Sequence, residues 1–205
     1  MKIGISLNEV LRDFIFQFHY VYEKYKQPFD IEKNPLTEFD LVKHFNFKDK
    51  EDLYHFLYSG DASWEVAGQG DQLYENLMSQ FNLFLVDIKD DEEHEIEIVS
   101  REYDRSIPST LFFLSKLGCK ADKLRFVKNY EDKWDGLDVL ITANPTALEN
   151  KPSGKISIKV NASYNKSVKA DFEINSILDF IKDVNLRDKI LNTKITTFEN
   201  IDDND

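Results

Sequence analysis

The chain has 205 residues, 41% of them hydrophobic with 16 Phe and 9 Tyr, which excludes a disordered polypeptide and suits one α/β domain carrying an insertion. Its formal charge of −12, from 26 basic and 38 acidic side chains, offers no surplus of cations to displace the counterions of a phosphate backbone, so no nucleic acid is expected as a direct partner. No stretch approaches the ~20 apolar residues that span a bilayer, and the opening apolar run is too short for a signal peptide, so a soluble chain with no membrane partner is expected.

Lys2 to Ser6 alternates as a strand does, and Val10, Leu11, Phe14, Ile15, Phe18, Val21 and Tyr22 then recur at helical spacing. The turn between them offers Ser6 or Asn8 as a helix cap, and the helix should stop near Gln27-Pro28, where proline removes a backbone donor. From Pro28 to about Asp91 the sequence is helical and aromatic, punctuated by Gly60-Asp61 and by Gly68 to Asp71 and closed by the charged run Asp90 to Glu93. It reads as a helical cap over residues 26–92, inserted into a core of residues 1–25 and 93–205. The aromatic residues Tyr54, Tyr58, Trp64, Tyr74, Phe81 and Phe84 are core by default and contact surface as the second reading.

Strands then alternate with helices: strands at Glu95 to Ser100, Leu124 to Val127, Asp138 to Ile141 and Lys155 to Val160, and a helix from Pro108 to Leu117 with Ser106 as N-cap and Gly118 just past its end. Asn175 to Asn192 suggests one or two further helices, and Glu199 to Asp205 a frayed acidic tail. The alternation implies a parallel sheet with its candidate site at the carboxyl ends of the strands, where Ser6-Leu7-Asn8-Glu9, Ser100, Asp132-Lys133 and Thr142 to Pro145 converge. Cys119 is a single cysteine, so no intramolecular disulfide can form, and the four histidines show no zinc spacing. With no histidine spaced near it as a base, Cys119 reads as packing.

Ile3-Gly4-Ile5-Ser6-Leu7-Asn8-Glu9-Val10-Leu11 resembles the opening motif of the haloacid-dehalogenase superfamily, written I-G-I-D-L-D-G-V-L. Ile96 to Ser100 is similar to the family's second motif, Lys133 to its third, and Val139 to Pro145 to the fourth, V-L-I-D-D-N-P. The resemblance implies an α/β fold, a Rossmann-like parallel sheet sandwiched by helices, with a helical cap after the first strand. In the family the first motif carries a nucleophilic and an acid-base Asp, and the fourth helps hold magnesium. Here Ser6 and Asn8 stand at the first pair and Thr142 and Ala143 at the second, so no catalytic residue, no metal and no cofactor are expected. Glu9 and Asp13 are too displaced to replace the acids, Glu9 lying off the strand end and Asp13 a turn inside the helix.

Ser6, Ser100 and Lys133 remain as a candidate anion site. The runs Ser109 to Lys116 and Leu140 to Pro145 resemble nucleotidase-like proteins of tailed bacteriophages, in particular the crAss-like group. That resemblance implies a catalytically inactive virion component, located in the particle or otherwise in the host cytoplasm. It would sit in a ring or collar near the portal and tail, with other virion proteins or its own copies as partners. The competing expectations are a magnesium-dependent phosphatase or nucleotidase with an unconventional site, and a phosphate or nucleotide sensor.

Overall fold

A computed structural model describes residues 1–89 and 94–193 of the chain, so the charged run Asp90 to Glu93 and the acidic tail lie outside the described residues. Six strands pair in the order β3-β2-β1-β4-β5-β6, all parallel: β1 (Lys2–Ser6), β2 (Glu95–Arg101), β3 (Leu124–Val127), β4 (Val139–Thr142), β5 (Ile156–Val160) and β6 (Phe172–Ile174). The central strands are buried on both faces, Val139 to Ile141 and Ile156 to Val160 without interruption, as strands covered by helices on each side must be. The parallel α/β architecture expected from the sequence is present. The edge strand β6 was not recognised there, because three residues are too few to display a period.

Chain order reverses between β1 and β4, so the ends of these two strands open onto the crevice where sheets of this kind place their sites. β1 lies in the middle of that arrangement, with Ser6 beside Val99 of β2 and Ile5 beside Ile141 of β4. Gly4 is required there by packing: a Cβ on it would meet Leu137 Cδ1 at 2.2 Å, and Leu137 is itself buried.

Between β1 and β2 run α1 (Phe14–Tyr25), α2 (Leu41–His44), α3 (Lys50–Tyr54), α4 (Ala62–Trp64) and α5 (Leu77–Lys89), with π-helical turns at His55–Ser59 and Glu65–Gln69. Helix α1 buries Phe14, Phe18, Val21 and Tyr22, an i, i+4, i+7, i+8 stripe. Phe18 meets the edges of Phe45 and Phe56, and Tyr22 packs on Phe45 and Phe47, so α1 anchors the aromatic core of the insertion. Helix α5 instead packs on β2 and on α8 (Ile177–Lys182), with Phe84 against Phe180 at 5.8 Å. Periodicity shows that a helix has an apolar stripe and not which neighbour covers it, so the partners of α5 were not readable from the sequence. Of the six aromatics in doubt, Tyr58, Phe81 and Phe84 are buried, whereas Trp64 and Tyr74 are exposed and Tyr54 is intermediate.

After β2 come α6 (Ser106–Lys116), α7 (Pro145–Glu149), α8 and α9 (Val184–Leu191). Gly118 ends α6 at φ 65, the left-handed conformation that favours glycine. Ser106 is the first residue of α6 and not its cap: its hydroxyl accepts from Tyr103 N–H and donates to the Tyr103 carbonyl, while Arg105 holds the cap position. Asn144 caps α7 by accepting from Ala147 N–H, with Pro145 in the first turn. No helix among the described residues is long and apolar enough to cross a membrane. Because the added Cβ must displace the buried Leu137 side chain, Gly4→Ala is expected to cost about 1–3 kcal/mol, read as a lower urea midpoint at unchanged slope.

Candidate functional site

Strands β1 and β4 end side by side at Ser6 and Thr142, and the two hydroxyls bond directly, Ser6 Oγ donating to Thr142 Oγ1 at 2.8 Å. Asn144 N–H donates to the same Thr142 oxygen at 3.1 Å, and Lys133 Nζ donates to Ser6 Oγ at 3.0 Å. Lys133 arrives on a 3₁₀ turn, Glu131–Trp134, held in place by buried Trp134, whose Nε1 donates to the Ala147 carbonyl at 2.7 Å. Burial pushes the lysine down to about 7; Glu102 opposes the shift and Arg101 adds to it. A hydroxyl thus touches an amine that can be neutral near pH 7, the pairing that makes nucleophile and base in Ser–Lys hydrolases. Both side chains are buried, as is Thr142.

Ser100, at the end of β2, faces the same crevice but donates its hydroxyl to Glu102 Oε1 at 3.0 Å. Glu102 is paired with Arg12, a residue that sequence reasoning passed over and that is wholly buried. Arg12 Nη2 lies 2.5 Å from Glu102 Oε1. Its Nη1 donates to the Ala67 carbonyl at 2.6 Å and to Thr110 Oγ1 at 3.0 Å, its Nε to Asn8 Oδ1 at 2.8 Å, and its Cζ lies 5.4 Å from the Phe113 ring centroid. A basic residue beside Val10-Leu11 and four positions from Asn8 gave the only signal available in the sequence, and nothing there indicates that it points inward.

The path of the chain after β1 explains how Arg12 gets there. The Leu7 carbonyl accepts from both Leu11 N–H and Arg12 N–H, and Glu9 turns the backbone at φ 58. Helix α1 consequently starts at Phe14, with Asp13 as its N-cap accepting from Phe16 N–H, so neither Ser6 nor Asn8 caps it and Asp13 is not inside it. Val10 and Leu11 had extended the helical period because they are loop residues turned to the same core. Glu9 occupies the position that is glycine in the resembling motif, and left-handed backbone costs a residue with a side chain roughly 1–2 kcal/mol. Its carboxyl accepts from Ile15 N–H at 2.8 Å, and burial raises it to about 7 against that bond.

These residues do not fit magnesium. The oxygens of Ser6, Asn8 and Thr142 are uncharged, Ala143 supplies no side-chain ligand, and Asn8 Oδ1 already accepts from Arg12. The nearby carboxylate, Glu102, is held by a guanidinium. Among the described residues no group of three His, Cys, Asp or Glu side chains could hold a metal ion. Burial raises the Cys119 thiol and so lowers its share of thiolate. Of the candidate anion residues, Ser6 and Lys133 are thus brought into one buried hydrogen-bonded group with Thr142, and Ser100 into another with Glu102 and Arg12, so that each bonds to protein. None of them lines the two clefts on this edge, one of about 390 Å³ reaching Arg101 and one of about 350 Å³ reaching Glu9.

In overall structure the chain is similar to a phosphonoacetaldehyde hydrolase-like protein from Oleispira antarctica, with a TM-score of 0.54 and 12% identity over 94% of this chain and 95% of that one. A haloacid-dehalogenase superfamily hydrolase, subfamily IA, from Geobacter sulfurreducens aligns at 14% identity and a TM-score of 0.46, over 88% of this chain and 95% of its own. No protein-family model and no curated protein matches the sequence. The fold is one parallel six-stranded sheet flanked by helices, shared with the phosphonoacetaldehyde hydrolase-like protein.

Glu102→Ala should cost about 3–5 kcal/mol, because it strands a buried guanidinium; the double variant Arg12→Met/Glu102→Ala should cost less than the single, as equilibrium unfolding would reveal. Glu9 and Lys133 should also shape stability against pH. The Glu9 carboxyl, raised from 4.5 to about 7, contributes fully below pH 4.5 and loses that contribution as pH rises through 7. The Lys133 amine, lowered from 10.5 to about 7, contributes fully above pH 10.5 and loses that as pH falls through 7. Urea midpoints across this range should dip near neutrality, with Glu9→Gln flattening the acid limb and Lys133→Met the alkaline one.

Proposed function

We propose that this chain is a haloacid-dehalogenase-like scaffold that does not turn over phosphate esters and works as a binding or assembly protein. The observation that carries the reading is the Arg12–Glu102 pair, which with Asn8, Ser100 and Thr110 fills the crevice at the ends of β1 and β2. A phosphoryl group needs that space, an in-line nucleophile and charge to balance its oxygens. Ser6 has no access to solvent here, and its partner Thr142 is neutral.

We further propose the assembly role that the phage-like runs imply, as a ring or collar component near the portal and tail of a virion. Support comes from the outer face of α6, within one of those runs. Leu111 and Phe112 are about half exposed there, and Phe112 packs on exposed Trp64 at 5.0 Å. Aromatic groups of this kind are enriched at the centres of protein interfaces.

The Ser6–Lys133 contact favours a second reading, a hydrolase in which neutral Lys133 takes the Ser6 proton once the site opens. An assay of p-nitrophenyl phosphate and of p-nitrophenyl acetate, each with and without magnesium, separates the readings. The wild-type chain should stay at background on both, and turnover that disappears in Ser6→Ala would overturn the proposal. For the assembly role, mass spectrometry of purified particles from the infected source should find the chain in stoichiometric amount, and its absence from intact particles would end that part.

A further inference from the structure

The buried polar cluster holds three cationic side chains, Arg12, Arg101 and Lys133, around one carboxylate, Glu102. Arg12 takes that carboxylate. Lys133 can shed its proton. Arg101 has neither recourse, because a guanidinium stays charged in any protein environment. Among the described residues it pairs with no acid. Its Nε donates to the Lys128 carbonyl at 2.6 Å and its Nη1 to the Tyr58 hydroxyl at 2.8 Å, both neutral acceptors.

Four tyrosine rings surround it, with centroids 4.6 Å (Tyr54), 4.8 Å (Tyr130), 5.1 Å (Tyr58) and 5.8 Å (Tyr103) from Cζ. Ring faces stabilise a cation less than a carboxylate does, and burial holds the Tyr58 and Tyr130 hydroxyls protonated, so they bring no countercharge. In a chain of net charge −12, a nearly buried arginine without an acid partner is unusual.

Arg101 is nonetheless on the wall of the cleft of about 390 Å³, a volume suited to a small molecule. Phe39, Leu53, Tyr54 and Tyr130 give that cleft planar and apolar walls, and exposed Lys50 stands at its rim. Asp40 and Glu131 also line it, with Asp40 occupied in capping α2 through Lys43 N–H at 3.1 Å. Two acids against two bases leave no surplus for a multiply charged ligand, whereas one oxyanion set directly on Arg101 answers the local deficit.

We infer that this cleft binds a small carboxylate with a planar apolar body, its carboxylate on the Arg101 guanidinium and its body among Phe39, Tyr54 and Tyr130. The site is distinct from the crevice of Ser6, Ser100 and Lys133, none of which lines it, and it does not depend on whether that crevice is catalytic. Charge-assisted, bidentate geometry is what arginine supplies to such a group.

The test uses the full-length chain with benzoate as probe, benzyl alcohol as neutral isostere and phenyl phosphate as the dianionic comparison, followed by amide chemical-shift titration. Benzoate at millimolar concentration should saturate shifts in the Phe39–Tyr54 and Arg101–Glu131 segments and bind about tenfold more tightly than the alcohol. Arg101→Met should weaken benzoate about tenfold or more. Because that variant could also disturb the tyrosine cage, exposed Lys50→Glu provides a second one that keeps the fold and should weaken benzoate about threefold. Equal binding of alcohol and benzoate, unchanged benzoate affinity in both variants, or no saturable shifts in these segments would overturn the inference. Preference for phenyl phosphate over benzoate would overturn the assignment of a singly charged ligand.

Discussion

The guanidinium of Arg12 is the interaction on which the rest of the site depends. It is buried and cannot discharge, so the structure around it must supply acceptors on every side. Asn8 supplies one from the loop after β1, Ala67 one from the π-helical turn of the insertion, Thr110 one from α6, and Glu102 the charge from the end of β2. Residues 8–12, 67 and 102–110, three regions of the sequence, are thereby tied to one group, and removing a single partner exposes the cost of burying the others. The insertion is consequently joined to the sheet at the place where a gated site would need the two to separate.

The residues at the four family-motif positions are consistent with that closed arrangement. A pair of carboxylates at Ser6 and Thr142 could not sit at 2.8 Å without a proton or a cation between them, whereas two hydroxyls donate and accept in turn. Asn8 presents an amide oxygen to Arg12 with no charge of its own, leaving Glu102 as the sole carboxylate in the cluster. Hydroxyl and amide groups at these positions pack against one another without a counterion. Glu9 holds left-handed backbone where the similar motif has glycine, and the turn forms all the same.

Much of the fold was legible because it is written in short-range patterns. The double-sided apolar runs of β1, β4 and β5, Gly118 beyond α6 and the proline after α1 each act within a few residues. Of the site only the strand ends were legible: Ser6 closes β1 and Ser100 lies one residue from the end of β2, while the partners to which they bond were not. Arg12, Glu102 and Arg101 were not visible, because a charged residue beside an apolar run looks the same whether it points to water or to a partner 90 residues away. The start of α1 was misplaced for a related reason, since Val10 and Leu11 satisfy the helical period by burying themselves from a loop.

The three cations of the cluster display three ways in which a protein interior tolerates positive charge. Arg12 is neutralised by a carboxylate at contact distance, which fixes geometry more than it stabilises, since desolvation offsets most of the attraction. Lys133 is tolerated by lowering its proton affinity, and the adjacent Arg101 helps to do so. Arg101 is tolerated by aromatic faces and neutral oxygens, the weakest of the three compensations, and it is the cation placed against an open cleft. The arrangement separates stability from recognition: the charge that is fully paired holds the crevice shut, while the charge left without an anion faces the space from which one can arrive.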